Sequence, residues 1–253
     1  MKSLLNQPLR VTGRLLWLGA ELLLAALRYA ICCALGSRES LPAARAGWLQ
    51  NSARRLLRVL RIETQVTGNI PSCGLLVCNH LSYLDILLLA SLSPCTFVAK
   101  NEVKHWPVFG WFARLAGTVF VHRDRRAQAA QAVNEIETAL RNGALVVLFP
   151  EGTSSDGETV LPFKSSLLEP AARQTHSVTA GLLRYELIDG DVSVEVCYWK
   201  DMTLVPHLVN LLSKRAVRAS VRLAELREGS SDRKELARQL HLEVLRLKEA
   251  IAV

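Results

Sequence analysis

The sequence predicts an α/β fold with a mainly parallel central sheet flanked by helices, preceded by an N-terminal membrane-associated helical pair. From about residue 64 onward, short apolar runs alternate with helical stretches, an order typical of a parallel sheet with helices on its faces. The chain has 253 residues, half of them apolar, which suffices for one full-sized core but not for two large domains. We therefore predict a two-helix membrane-associated segment over residues 1–62 and an α/β domain over residues 63–253.

The basic charge of the chain is concentrated in its first quarter. Residues 1–61 hold ten Lys and Arg side chains against two acidic ones, whereas the other residues hold 21 of each. A segment with such an excess of positive charge usually binds nucleic acid or anionic lipid. Because the basic residues accompany leucines and not aromatic side chains that stack on bases, we predict an anionic membrane surface as partner and no nucleic acid.

Two helices are predicted in this quarter. Residues 15–35 form an apolar stretch long enough to cross a bilayer, but Glu21 and Arg28 interrupt it and make crossing costly. Residues 43–61 place leucines on one helical face and arginines on another, the pattern of an in-plane anchor on anionic headgroups. A single membrane span, a cleaved signal peptide and an ordinary surface helix remain alternatives. The predicted location is the cytoplasmic face of the inner membrane.

The elements of the α/β domain follow from its apolar runs. Over residues 75–149 the pattern predicts four strands and three helices: strands at 75–78, 96–99, 118–121 and 144–149, and helices at 83–92, 108–116 and 127–141. Two further strand-like runs, 178–187 and 192–199, flank an Asp-Gly pair that signals a hairpin. A helix at 203–214, a strand at 217–223 and a helix at 232–250 complete the domain.

His80 follows the strand predicted at 75–78, and Asp85 lies in the first turn of the next helix. Such a junction lies at the carboxyl edge of the sheet, where open α/β folds bind ligands. An imidazole with an ordinary pKa of about 6.5 can take a proton from a hydroxyl at neutral pH, and a carboxylate on its other nitrogen fixes the tautomer. We predict His80 as the general base and Asp85 as its partner, although Ser82 and Asp85 also have the spacing of a helix-capping box.

Further polar residues are predicted at the same edge of the sheet. Glu151, Gly152 and Thr153 lie in a tight loop after the strand at 144–149, where Glu151 either fixes a head group or braces the loop and the next two amides face an anion.

Three basic side chains are predicted at or near the same edge of the sheet. Arg123 and Lys100 end two strands and Lys164 follows the loop, and the planar guanidinium of Arg123 suits a phosphate. Each cation alone is typical of a solvated surface, but their shared location favours a binding site. Neither the six cysteines nor the histidines show metal-ligand spacing, so we expect no metal and no cofactor.

These blocks together resemble the glycerolipid acyltransferase family, whose best-known members are the 1-acylglycerol-3-phosphate acyltransferases. Asn79-His80-x4-Asp85 resembles the catalytic block of that family, residues 117–123 resemble its acceptor-binding block, and Phe149 to Thr153 resemble its third block. The resemblance implies direct attack of a lipid hydroxyl on the thioester of acyl-CoA or acyl-carrier protein, with no metal. It also implies acceptor binding for Arg123 and Glu151, and with these we predict substrate contacts for Asn79, Lys100, Gly152, Thr153 and Lys164.

The sequence departs from the family pattern at two places, which leave the acceptor open. Ser154 stands where the third block commonly has Arg, and residues 177–180 lack the usual Pro of the fourth block. Residues 154–157, 162–168 and 198–202 instead resemble the bacterial branch that includes lyso-ornithine lipid acyltransferases. We therefore predict O-acylation of a membrane lysolipid, with 1-acylglycerol-3-phosphate as the first candidate and a lyso-aminolipid as the second. A thioesterase and an inactive membrane-binding protein are the remaining alternatives.

Overall fold

The computed structural model describes residues 7–35, 41–121, 126–173 and 176–250, without the side chains of residues 35 and 126–129. A seven-stranded sheet with the order β1-β7-β6-β2-β5-β3-β4 forms its centre. Neighbouring strands are parallel except β6 and β7, which are antiparallel. The strands are β1 Ile62–Thr67, β2 Gly74–Cys78, β3 Thr96–Lys100, β4 Val119–Val121, β5 Leu145–Leu148, β6 Val178–Leu187 and β7 Val217–Glu225.

Helices cover both faces of this sheet. The helices are α1 Pro8–Leu35, α2 Leu41–Leu60, α3 Leu84–Leu92, α4 Phe109–Leu115, α5 Arg126–Arg141, α6 Glu169–Arg173, α7 Val192–Glu195, α8 Leu204–Ser213 and α9 Arg233–Glu249, with a 3-10 turn at Asn101–His105. One buried cluster joins α2, α3 and α8 to one face of the sheet, and a second joins α5, α6 and α9 to the other. The predicted α/β class with a mainly parallel, helix-flanked sheet is confirmed.

The hairpin predicted around Asp189 and Gly190 is wrong. The run 192–199 is not a strand: it begins with the short helix α7, and the antiparallel partner of β6 is β7, which lies 30 residues further along the chain. The Asp191 carboxylate accepts the backbone N–H of Ser193 at 2.8 Å and so caps α7. Val196 and Cys197 are buried, which explains why the run had the composition of a strand.

The edge strand β1 was not predicted. Five of its six residues are exposed, so the strand lacks the alternation of apolar and polar residues that sequence analysis detects. The structure forms it through parallel pairing with β7, from Ile62 opposite Val217 to Thr67 opposite Arg222. The predicted domain boundary at residues 62 and 63 therefore coincides with the start of β1, and the division into two units stays a prediction.

Helix α1 is docked on the domain by polar contacts near its N-terminus. Arg10 donates to the carbonyl of Ser213 at 3.1 Å and Arg14 donates to that of Leu212 at 2.9 Å, which satisfies carbonyl groups at the end of α8. Further along, Glu21 lies within 3.8 Å of Arg28 and 3.7 Å of Arg55 of α2. By length and composition, α1 is the one helix of the described part of the chain that could cross a membrane.

Candidate active site

His80 and Asp85 form a hydrogen-bonded pair just beyond the end of β2. Nδ1 of His80 lies 2.7 Å from Oδ2 of Asp85. The carboxylate is fully buried, whereas 21% of the His80 side chain is exposed. Because Nδ1 is engaged by the carboxylate, Nε2 is the ring nitrogen that remains for a proton transfer. The arrangement predicted from the five-residue spacing is thus present in the structure.

Backbone amides fold Asp85 back toward the imidazole. Oδ2 of Asp85 accepts the N–H of Leu81 at 2.7 Å and that of Ser82 at 3.0 Å. The second of these contacts is half of a capping box, but the Ser82 hydroxyl has no hydrogen-bond partner within the described residues. Oδ1 accepts the hydroxyl of Tyr185 at 2.7 Å. Asp85 therefore organises the start of α3 and the imidazole at the same time.

Two loops hold the His80 segment in place. The Ser155 N–H donates to the carbonyl of His80 at 3.0 Å, and the Tyr198 N–H donates to the carbonyl of Leu81 at 2.8 Å. The two loops are joined to each other by the Ser154 hydroxyl, which donates to the Tyr198 carbonyl. The His80 ring also stacks on Phe149, with centroids 4.2 Å apart. These contacts limit rotation of the imidazole.

A cavity of about 380 Å³ opens beside His80. Its walls are mostly apolar. They are formed by the two N-terminal helices and by a helix of the α/β domain: Leu22 of α1, Trp48 and Leu56 of α2, and Phe109 and Phe112 of α4. Its polar lining consists of a few groups, among them Lys100, Gly152, Thr153, Ser154 and Lys200. An apolar slot with a few polar groups near a histidine suits a molecule with a hydrocarbon chain and a polar head.

Glu151 lies under the His80 loop and does not line the cavity. It is 2% exposed, and neither carboxylate oxygen makes a hydrogen bond of good geometry with a described residue. Burial, and after it the negative charge of Asp85, raise the pKa of Glu151 to about 8, while the nearby amides of His80 and Leu161 lower it. Folding therefore favours the protonated, neutral form of this carboxyl group.

The structure places the other predicted substrate-binding residues as follows. Asn79 is buried, and both polar atoms of its side chain are bonded to the backbone of Leu183, at 3.1 and 2.7 Å. Lys164 is exposed and does not line the cavity. The N–H of Gly152 donates to the carbonyl of Phe149 at 3.1 Å. Arg123 lies outside the described residues. Among the members of the set that the structure describes, Lys100, Gly152 and Thr153 line the cavity with His80.

Sequence analysis missed an aromatic group at the cavity. The Tyr83 hydroxyl lies 3.1 Å from Nδ1 of His207, whose Nε2 lies 3.1 Å from the Cys197 carbonyl. Tyr198 packs edge-on against both Tyr83 and His207. Burial lowers the pKa of His207, so this ring is neutral at physiological pH. The position of Tyr83 inside the His80–Asp85 motif was the one available sequence signal.

No group of three or more His, Cys, Asp or Glu side chains within the described ranges is arranged to hold a metal ion.

Comparison with known proteins gives a consistent set of similarities. Residues 61–185 match the family described as Acyltransferase. The chain is 37% identical to a lyso-ornithine lipid O-acyltransferase of Brucella abortus over 81% of this chain and 84% of that one. It is 35% identical to a protein of the same name from Pseudomonas aeruginosa, over 89% and 90% of the two chains.

Two other proteins extend the comparison. A 1-acyl-sn-glycerol-3-phosphate acyltransferase of Neisseria meningitidis is 34% identical over 53% of this chain and 56% of its own. The crystal structure of the 1-acyl-sn-glycerophosphate acyltransferase PlsC from Thermotoga maritima superposes with a TM-score of 0.71, covering 99% of this chain and 98% of that one. At 20% identity, the superposition establishes a shared fold.

Proposed function

The chain belongs to the acyltransferase family, and on this premise we propose that it transfers a fatty acyl group from a thioester donor to the free hydroxyl of a lysolipid. The observation that carries the proposal is the His80–Asp85 pair, with Nδ1 bonded to the carboxylate at 2.7 Å and the ring lining an apolar cavity. The reaction type follows from the family, and the pair supplies the base that a hydroxyl nucleophile requires.

His80 acts as general base in the proposed reaction. Nε2 takes the proton of the acceptor hydroxyl as its oxygen attacks the thioester carbonyl carbon, and a C–O bond forms. Asp85 stabilises the imidazolium and keeps Nε2 unprotonated before the attack. The tetrahedral intermediate then collapses, the C–S bond breaks, and the imidazolium returns the proton to the thiolate. No nucleophile of the protein is needed, because the acceptor lipid supplies the hydroxyl.

The cavity accommodates the hydrocarbon part of a substrate. Its walls at Leu22, Trp48 and Phe112 offer apolar surface, and burying an acyl chain there gains about 0.8 kcal/mol per methylene group. Lys100 and Thr153 are among the polar residues that line the cavity, and in the proposed reaction they bind the head group of the acceptor. Glu151 is buried near the amides of His80 and Leu161, so we assign it a structural role in the loop and not a contact with the head group; this is one of the two roles considered for it above.

Two acceptors are candidates, and different observations favour them. The resemblance of residues 149–153 to the third block of the family favours 1-acylglycerol-3-phosphate, because the best-known members of that family act on this phosphate-bearing lipid. The lyso-ornithine lipid is favoured by Ser154 in place of the common Arg and by relatives of that name that match most of this chain. The thioester carrier is either acyl-CoA or acyl-carrier protein.

The protein associates with membranes, and we propose that α1 lies in the plane of the cytoplasmic leaflet. Leu16, Leu23 and Leu27 of α1 share one helical face and are 71%, 73% and 57% exposed. Arg10 and Arg14, at the other side, are bonded to the end of α8. A helix that is fixed along the domain and presents an apolar face outward is suited to the interface between headgroups and acyl chains.

The test is an acyl-transfer assay with the full-length chain in detergent–lysolipid micelles. Labelled acyl-CoA and acyl-carrier protein are each offered with 1-acylglycerol-3-phosphate, lyso-ornithine lipid and a neutral lysolipid. We expect a diacyl product with at least one acceptor, lost in His80→Ala and retained in His241→Ala, a histidine on the opposite face of the sheet. Release of free fatty acid without lipid product would indicate a thioesterase. Full transfer by His80→Ala would exclude His80 as the base.

A further inference from the structure

The buried carboxylate of Asp85 is bonded unequally at its two oxygens. Oδ2 has three donors: Nδ1 of His80 and the amides of Leu81 and Ser82. For Oδ1, the described residues supply one hydrogen bond, from the Tyr185 hydroxyl at 2.7 Å. Asp85 is completely buried and Tyr185 is 3% exposed. Loss of this hydroxyl would leave one oxygen of a buried charge without a hydrogen bond.

The register of the sheet explains how Tyr185 reaches this position. β2 ends at Cys78, opposite Gly181, whereas β6 continues to Leu187. The extra residues of β6 therefore run past the His80 segment. Leu183 and Tyr185 point to the same face, into the cluster that also contains α3, and Asn79 fixes the backbone there through Leu183.

The Tyr185 hydroxyl is a donor over the whole working range of pH. Burial, and then the negative charge of Asp85, raise its pKa well above the ordinary value. Within the described ranges, the titratable groups that face Asp85 from other elements, besides Tyr185, are His80, Cys78 of β2, Glu151 after β5 and Cys197 after α7. Burial raises the pKa of both thiols, so neither adds a charge near neutral pH.

The geometry points to Tyr185 as a positioning residue of the acyl transfer: its hydroxyl holds Oδ1 of Asp85 and thereby sets the proton affinity of the His80–Asp85 pair. The inference rests on the proposed function, because it concerns the same base. A donor on Oδ1 stabilises the state in which His80 is neutral and Asp85 is ionised. Without the donor, the pair binds a proton more readily. As the pH is lowered, His80 therefore becomes protonated, and stops acting as a base, at a higher pH than in wild type.

The test compares Tyr185→Phe with wild type and with Tyr29→Phe, the same change outside the cavity. Two quantities are measured on the full-length chain in micelles: the pH dependence of kcat/KM, and the titration of the His80 ring by NMR, its signal identified by its absence in His80→Ala. In Tyr185→Phe we expect the acid limb of kcat/KM and the His80 titration to move upward by about one pH unit, with the acceptor KM unchanged. In Tyr29→Phe neither quantity should move. Glu151 is present in all three proteins, so its titration does not distinguish them.

Three results would overturn the inference. The first is a Tyr185→Phe protein whose acid limb and His80 titration match wild type. The second is lower activity with neither quantity shifted, which would mean a purely structural hydroxyl. The third is an equal shift of the His80 titration when Tyr185→Phe is made in an Asp85→Asn background, because residue 85 then carries no charge for the hydroxyl to stabilise. If wild type transfers no acyl group, the proposed function fails, yet the His80 titration still reports on Tyr185.

Discussion

The side-chain amide of Asn79 pairs with the backbone of Leu183 in both directions, donating to its carbonyl at 3.1 Å and accepting its N–H at 2.7 Å. The amide thus continues the pairing of β2 with β6 for one step after β2 has ended at Cys78. The neighbouring residue, His80, is then free to leave the sheet while its backbone stays fixed. The catalytic imidazole of the proposal depends on this junction.

Replacing Asn79 with Ala should lower stability more than substrate affinity. Both backbone groups of Leu183 would lose their partners in a buried position, which should cost about 2–4 kcal/mol of unfolding free energy. Urea unfolding in detergent measures this loss, and Asn134→Ala on the exposed face of α5 is the control. A large rise in acceptor KM with unchanged stability would instead support the substrate contact predicted from the sequence.

Asp85→Asn should lower kcat by a factor of about 10²–10⁴. The neutral amide accepts the Nδ1 proton of His80 more weakly and does not stabilise the imidazolium that forms during attack. Because the lost interaction belongs to the transition state, kcat and kcat/KM should fall together. Acyl transfer is measured beside Asp189→Asn, an exposed control, and circular dichroism checks the fold. A normal kcat in Asp85→Asn would contradict the proposed role.

Glu151 should make stability depend on pH between about 4.5 and 8. Its pKa is raised from 4.5 to about 8 on folding, so the folded state keeps a proton that the unfolded state releases. The contribution of Glu151 to the free energy of unfolding is complete below pH 4.5. It decreases as the pH rises to about 8, by at most about 1.4 kcal/mol per pH unit. Glu151→Gln should flatten this decline in urea unfolding measured from pH 5 to 8. An identical decline in both proteins would mean that Glu151 is ionised throughout.

Three polar substitutions on α1 should release the protein from membranes. Changing Leu16, Leu23 and Leu27 to Ser removes apolar surface worth about 3–6 kcal/mol in total if that face is inserted, so vesicle binding should weaken at least about a hundredfold. Sedimentation with vesicles containing anionic lipid measures binding. Leu242→Ser on α9, where the leucine is 49% exposed, is the matched control. Equal binding by the triple variant and wild type would place the membrane contact elsewhere.

Lys100→Met should weaken an acceptor with an anionic head group. Lys100 lines the cavity, and losing one charge-assisted hydrogen bond to a phosphate should raise KM about tenfold or more with little change in kcat. The KM values for 1-acylglycerol-3-phosphate and for a neutral lysolipid are compared, and Lys234→Met serves as control. An equal change in KM for both acceptors would argue against a contact with the head group.

Patterns local in the sequence predicted much of the fold. The alternation of apolar runs and helices predicted the succession of most strands and helices along the chain, because each element is encoded by its own periodicity. His80 and Asp85 were predicted as a pair because they are five residues apart, across one strand-to-helix junction. The edge strand β1 and the true partner of β6 were not predicted, since pairing between distant segments leaves little local signal.

By itself, the sequence determined the class of the fold, the helical N-terminus and the histidine–carboxylate motif, because these depend on residues near one another in the chain. Only the tertiary structure decided which distant groups complete the site. Tyr185 reaches Asp85 across 100 residues and Asn79 bonds Leu183 across 104. The pKa of Glu151 is raised because folding removes water from around its carboxyl group. Burial and long-range contacts belong to the folded chain as a whole, so no local pattern encodes them.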